Sequence, residues 1–116
     1  MHASPSLHFL VAGLCAQWCG TCRDWRAVFD AQAREQGARA DFIWVDVEDH
    51  DEVMGSIDVE NFPTLLIARN HEVLFFGTIT PHAGTLSRLV REALHGHMTP
   101  VSNPDLAALV ERVRGL

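Results

Sequence analysis

Trp18-Cys19-Gly20-Thr21-Cys22 decides the reading of this chain. The five residues join an apolar run, Leu7 to Ala16, to a stretch of helical periodicity, Thr21 to Gln36. The run is apolar almost throughout, which predicts a strand buried on both faces. In the following stretch Cys22, Trp25, Phe29 and Ala33 recur at spacings of three and four, one face of a helix, and Gly37 stands where a helix ends. Two cysteines separated by two residues at a strand-to-helix turn carry the mark of a thiol–disulfide redox site. The first turn of a helix presents unpaired N–H groups and the positive end of the macrodipole, an environment that favours an anion such as a thiolate.

Outward from this point, Asp41 to Val47 reads as a second strand, rich in aromatic and β-branched residues. The acidic stretch Glu48-Asp49-His50-Asp51-Glu52 opens a short helix ending near Ser56, where acids suit a helix N-terminus. Thr64 to Ala68 and Glu72 to Phe76 form a hairpin about Asn70-His71. Thr85 to Leu94 is an amphipathic helix with Leu86, Leu89, Val90 and Leu94 on one face. Gly96 to Asn103 reads as a linker. A last helix begins at Pro104 with Asn103 as its cap, and carries an apolar stripe of Leu106, Leu109, Val110 and Val113. The element order is β-α-β-α-β-β-α, then the tail helix.

Length and charge bound the function. A chain of 116 residues is one domain by size and buries a core without staples. Nine Lys and Arg against fifteen Asp and Glu give a net charge of −6, and no basic stripe is visible. That argues against nucleic acid and anionic membranes as partners. No stretch is long enough to span a bilayer. The run from Leu7 to Ala16 lacks a preceding Lys or Arg and leads straight into the cysteine motif, so it reads as a core strand rather than a signal segment. A cytoplasmic location is the expectation, and there a lone C-x-x-C is catalytic or metal-binding rather than a structural staple.

Trp18-Cys19-Gly20-Thr21-Cys22, Phe62-Pro63-Thr64 and the order of elements together resemble the thioredoxin superfamily, over about residues 7 to 95. The resemblance implies an α/β fold, a central mixed sheet flanked by helices, here with an extra C-terminal helix. It divides the chain into a thioredoxin-like domain, 1–98, and a linker with an amphipathic helix, 99–116, docked on the same domain. Function follows as thiol–disulfide exchange with proteins. Cys19 would be the exposed attacking thiol and Cys22 the resolving thiol, with Gly20 and Thr21 completing the motif. Pro63 would follow a cis peptide bond, and Trp18, Phe62, Pro63 and Thr64 would contact an extended substrate segment. Arg23 would add a positive charge near the motif. No cofactor is implied beyond the redox disulfide Cys19–Cys22. The partners implied are protein thiols and disulfides and an unidentified electron donor or acceptor, with the chain a monomer or a weak dimer.

The chain also departs from this family. Thioredoxins carry a buried Asp in the first central strand and a Lys in the next, where this chain has Gly13 and Trp44. Asp46 and Glu48 are close in sequence, but nothing in the sequence aims them at the cysteines. The proton of the resolving thiol is expected to move through water, at a cost in turnover. Thr21 stands where Pro is usual, and the pair between the cysteines influences redox poise. Ile79 stands near the place of a family glycine, with Gly77 upstream. Cys15 reads as a small apolar core residue, with pairing to Cys19 or Cys22 under oxidation as the alternative. Two other functions compete. One is a thioredoxin-fold binding or chaperone module with weak or no redox activity, favoured by the missing Asp and the added tail. The other is a zinc site of Cys15, Cys19, Cys22 and a histidine. Against the latter, His2, His8, His50, His71, His82, His95 and His97 are scattered and stand at no standard spacing from a second cysteine pair.

Overall fold

The computed structural model describes residues 8–116. Leu7, where the first strand was expected to begin, and His2 lie outside that range. Strand β1 (Phe9–Cys15) runs through the interior of a four-stranded sheet. It pairs in parallel with β2 (Ala40–Asp46) on one side and antiparallel with β3 (Thr64–Arg69) on the other. Strand β4 (Glu72–Thr78) closes the hairpin antiparallel to β3, giving the order β2-β1-β3-β4. The expected mixed sheet with flanking helices is therefore present.

All seven residues of β1 are buried, as a strand covered on both faces requires. Its alternation divides the core in two. Phe9, Val11 and Cys15 point to the face covered by α1 (Gly20–Gln36) and α3 (Ala83–Leu94). Leu10, Ala12 and Leu14 point to the face covered by the short α2 (Asp51–Met54) and by α4 (Pro104–Arg114). On α1 the buried stripe is Cys22, Trp25, Phe29 and Gln32. Gln32 takes the last place in the buried stripe, and Ala33, expected there from its spacing, is half-buried beside it. Helix α1 ends at Gly37 in right-handed conformation (φ −63°), without the left-handed turn that a terminal glycine often makes. The hairpin turns at Asn70, whose φ of 55° is tolerated by Asn. Its side-chain oxygen accepts the backbone N–H of His8 at 3.0 Å.

The tail is integral to the second face. Asn103 caps α4 by accepting the N–H groups of Asp105 and Leu106 at 3.0 and 3.1 Å, with Pro104 at the first turn. Leu106, Leu109, Val110 and Val113 are buried against Leu10, Leu14, Val45, Leu66 and Val73. Arg112 donates to the carbonyls of Val53 and Met54 at the end of α2. Gly55 makes that approach possible, since its φ is 58° and a Cβ there would lie 2.7 Å from the Arg112 guanidinium. The preceding segment is not a free linker. Val101 forms an antiparallel bridge with Val73 of β4, its N–H donating to the Val73 carbonyl at 2.7 Å.

Candidate active site

The C-terminal end of β1, the start of α1 and the loop before β3 converge on the cysteines. Cys19 is the N-cap residue of α1, in extended conformation (φ −83°, ψ 115°). Its own N–H donates to Ala16, and its carbonyl accepts the N–H of Arg23. The Cys19 side chain is half-buried and bears a free thiol. It sits where the N–H groups of the first helical turn lack intrahelical partners. Arg23 curls back over this turn. Its Nη1 donates to the Gln17 carbonyl at 3.1 Å, and a Cβ on Gly20 would lie 3.7 Å from its Nη2.

Two aromatic residues flank the thiol. Trp18 is 64% exposed and meets Phe62 edge-on, with ring centroids 5.7 Å apart. Phe62 and Cys19 are both half-buried and both pack against the core cluster that contains Cys22 and Trp25. The Phe62–Pro63 peptide bond is cis. The Pro63 carbonyl accepts the N–H of Ile79 at 3.0 Å, so Ile79, at the displaced glycine position, sits against this loop. Thr64 is buried and donates its hydroxyl to the Asn61 carbonyl at 2.7 Å, fixing the loop that carries Phe62. Trp18, Cys19 and the Phe62-Pro63-Thr64 segment are thus brought together, and Gly20 and Thr21 open α1.

Cys22 has a different partner from the one the family resemblance implies. It is 1% exposed and is joined by a disulfide to Cys15, also 1% exposed, with the two Cα atoms 5.8 Å apart. That separation is ordinary for a disulfide. Cys15 is the buried core residue expected from its strand, and it is also paired with Cys22, the alternative that its position left open. The cause is strand parity. Cys15 shares its face of β1 with Val11 and Phe9, and that is the face on which the Cys22, Trp25, Phe29 stripe of α1 packs. Both halves of this signal were in the sequence.

The structure also accounts for the missing Asp and Lys. Gly13 and Trp44 are register partners on β1 and β2. A Cβ on Gly13 would lie 2.9 Å from the ring of Trp25 and 3.1 Å from that of Phe29. Trp44 packs tilted against Trp25 and edge-on against Phe29, with ring centroids 5.6 and 5.5 Å apart, and the Arg26 guanidinium lies 4.5 Å above its ring. An aromatic cluster fills the space where the family keeps its ionisable pair. The acids near the resolving side come from elsewhere. Cys22 borders an open cavity of about 440 Å³ shared with Arg23, Trp44, Asp46, Asp49 and His50. Asp46 ends β2 opposite Cys15, and its Oδ1 accepts the N–H groups of Glu48 and Asp49 at 2.9 and 3.1 Å. Glu48 borders instead a second cavity of about 430 Å³, with Trp18, Asp51, Asp58, Glu60 and Phe62. Sequence reasoning could not separate the two acids, because the turn after β2 decides which way each one faces. Among the described residues, no group of three or more His, Cys, Asp or Glu is placed to hold a metal ion. No helix among them is long and apolar enough to cross a membrane.

Comparison with known proteins agrees with this geometry. The chain is 31% identical to a thioredoxin of Bacillus subtilis over 72 residues, which span 62% of this chain and 69% of that protein. It is 37% identical to a thioredoxin of Listeria monocytogenes over 59 residues, which span 51% of this chain and 57% of that one. The fold is that of the germline-specific thioredoxin Deadhead of Drosophila melanogaster, with a TM-score of 0.66 at 21% identity over 73% of this chain and 80% of that one. The thioredoxin of Fasciola hepatica superposes with a TM-score of 0.62 at 24% identity, over 78% and 81% of the two chains. The sequence pattern of the Thioredoxin family itself matches residues 4–89, and the chain belongs to the thioredoxin family of thiol–disulfide oxidoreductases.

Proposed function

We propose that the reduced protein exchanges disulfides with other proteins through Cys19 and Cys22. The Cys19 thiolate attacks a substrate disulfide, a mixed disulfide forms, and Cys22 attacks Cys19 to release the substrate as a dithiol. One observation carries this reading. The only partly exposed thiol of the motif stands at a helix N-terminus next to the exposed Trp18, whose ring meets the half-buried Phe62, while Cys22 is sealed one turn inside the helix. The thiol that meets substrate and the thiol that waits are thereby distinguished by access. Trp18 and Phe62 supply an apolar platform, and Phe62, Pro63 and Thr64 hold an extended segment of the substrate by strand-like pairing. Gly20 and Thr21 set the turn between the thiols. No metal or organic cofactor enters the cycle.

The partners are protein thiols and disulfides, with a dithiol donor or a disulfide acceptor closing the cycle. The site of action is the cytoplasm, and the working unit is a monomer or weak dimer whose thioredoxin-like portion spans 1–98. Replacing Cys22 with Ser tests the scheme. The variant is expected to accumulate a covalent adduct with a disulfide-bearing protein such as insulin, resolved by reductant and absent when Cys19 is also replaced. A binding module would hold its partner regardless of Cys19. The equilibrium potential then gives direction, near about −270 mV for a reductase and near about −120 mV for an oxidant.

A further inference from the structure

We propose that Cys15 is a third redox-active residue of this site, which takes Cys22 over from Cys19 and stores the oxidising equivalents in a buried disulfide. The proposal rests on the exchange scheme above. Cys22 is common to both pairs, being in the C-x-x-C motif with Cys19 and in a disulfide with Cys15. Cys15 and Cys22 are both 1% exposed, whereas Cys19 is half-buried and free.

The steps balance as follows. Cys19 thiolate attacks one sulfur of the substrate disulfide, expelling the first substrate thiolate. Cys22 thiolate attacks Cys19 Sγ, expelling the second and forming Cys19–Cys22. Cys15 thiolate then attacks Cys22 Sγ, breaking Cys19–Cys22, forming Cys15–Cys22 and freeing the Cys19 thiolate. The protons lost by Cys15 and Cys22 end on the two substrate thiols. One substrate disulfide is reduced and one protein disulfide is made. Re-reduction reverses the last step. Cys19 attacks Cys22, so an external dithiol meets an accessible Cys19–Cys22 bond and never has to reach the buried pair. While Cys15–Cys22 persists, Cys19 is a monothiol, and any mixed disulfide it forms has no internal resolving partner.

Differential alkylation of the wild-type protein decides the matter. Reduced protein is treated with one equivalent of oxidised glutathione, quenched in acid and labelled with N-ethylmaleimide under denaturing conditions. It is then reduced and labelled with iodoacetamide. All three cysteines precede Arg23, the first tryptic site, so tandem mass spectrometry assigns each label within one peptide. More than half of the maleimide on Cys19 supports the proposal. More than half on Cys15 means that oxidation stops at Cys19–Cys22, and more than half on Cys22 means a different pair; either overturns it. In the native oxidised protein, Cys15→Ala should cut iodoacetamide labelling of Cys19 at least ten-fold, because Cys19 is then held by Cys22. Unchanged labelling in folded variant counts against the relay. Insulin reduction by Cys19→Ser is measured alongside. Persistent turnover there would strike at the underlying exchange scheme, whereas maleimide on Cys15 strikes at the relay alone.

Discussion

The two faces of the sheet are built from different materials. Behind Leu10, Leu14, Leu66 and Val73 the core is almost wholly aliphatic, and the tail helix closes it with four buried side chains and the Arg112 and Arg114 hydrogen bonds. On the other face stand three cysteines, Trp25, Phe29, Phe42, Trp44 and Phe62. There Trp25 Nε1 and Gln32 Oε1 are buried without a hydrogen-bond partner. Among the described residues, the cysteine-bearing face leaves these two buried polar atoms without a partner and the aliphatic face leaves none. The comparison predicts that damage to the first face is read in turnover, and damage to the second in stability.

The largest effect belongs to the nucleophile. Cys19→Ser should reduce insulin-disulfide reduction to the uncatalysed background while leaving the urea midpoint nearly unchanged, since Cys19 is half-buried and outside the disulfide. A variant that still turns over would remove the exchange scheme. Next comes Gly13→Asp, which restores the family's acid at its own position. Here the carboxylate would enter a filled aromatic cluster, with its Cβ 2.9 Å from Trp25. Overpacking and an unpaired buried charge together should cost about 3–5 kcal/mol in denaturant unfolding. A stable and faster Gly13→Asp enzyme would show that the aromatic cluster is only a filler.

On the opposite face, Leu109→Ala removes a fully buried side chain of the tail. The expected loss is about 2–4 kcal/mol by urea titration, with turnover of the folded fraction retained. Turnover that falls in step with stability would mean that the two faces are coupled. Arg112→Ala should cost less, about 1–2 kcal/mol, by leaving the Val53 and Met54 carbonyls without this donor.

Much of this contrast was legible in the sequence. The all-apolar run Phe9 to Cys15, the stripe on α1, and the Asn103-Pro104 start of the tail helix fix their elements because periodicity and capping are local signals. Trp18, Cys19 and Phe62-Pro63-Thr64 could be named from motif alone. What escaped was set by non-local geometry. Val101 bridges to β4 within a stretch whose composition suggests a linker, because a single bridge leaves no periodicity. The Cys15–Cys22 bond depends on which face of β1 receives α1, and the roles of Asp46 and Glu48 depend on one turn after β2. Parity along β1 was the one available clue, and it points to Cys15 only when the packing face of α1 is read together with it.

The smallest expected effect tests whether the Trp18–Phe62 pair belongs to the chemical face at all. Trp18, next in the chain to Cys19, is the most exposed of the large apolar side chains at the site, and it and Phe62, which it meets edge-on, line one cavity. An exposed ring contributes little to folding, so Trp18→Ala should shift the unfolding free energy by less than about 0.5 kcal/mol. Its work is done only when a substrate covers it. Loss of that apolar contact should raise KM for a protein disulfide about three- to ten-fold, roughly 0.7–1.4 kcal/mol. The effect on a small disulfide that does not reach the ring should be negligible. The split between the two substrates is the informative quantity. Equal losses on both would mean that Trp18 acts on the Cys19 thiol itself, and the platform reading would then give way to one in which the indole shapes the nucleophile's surroundings.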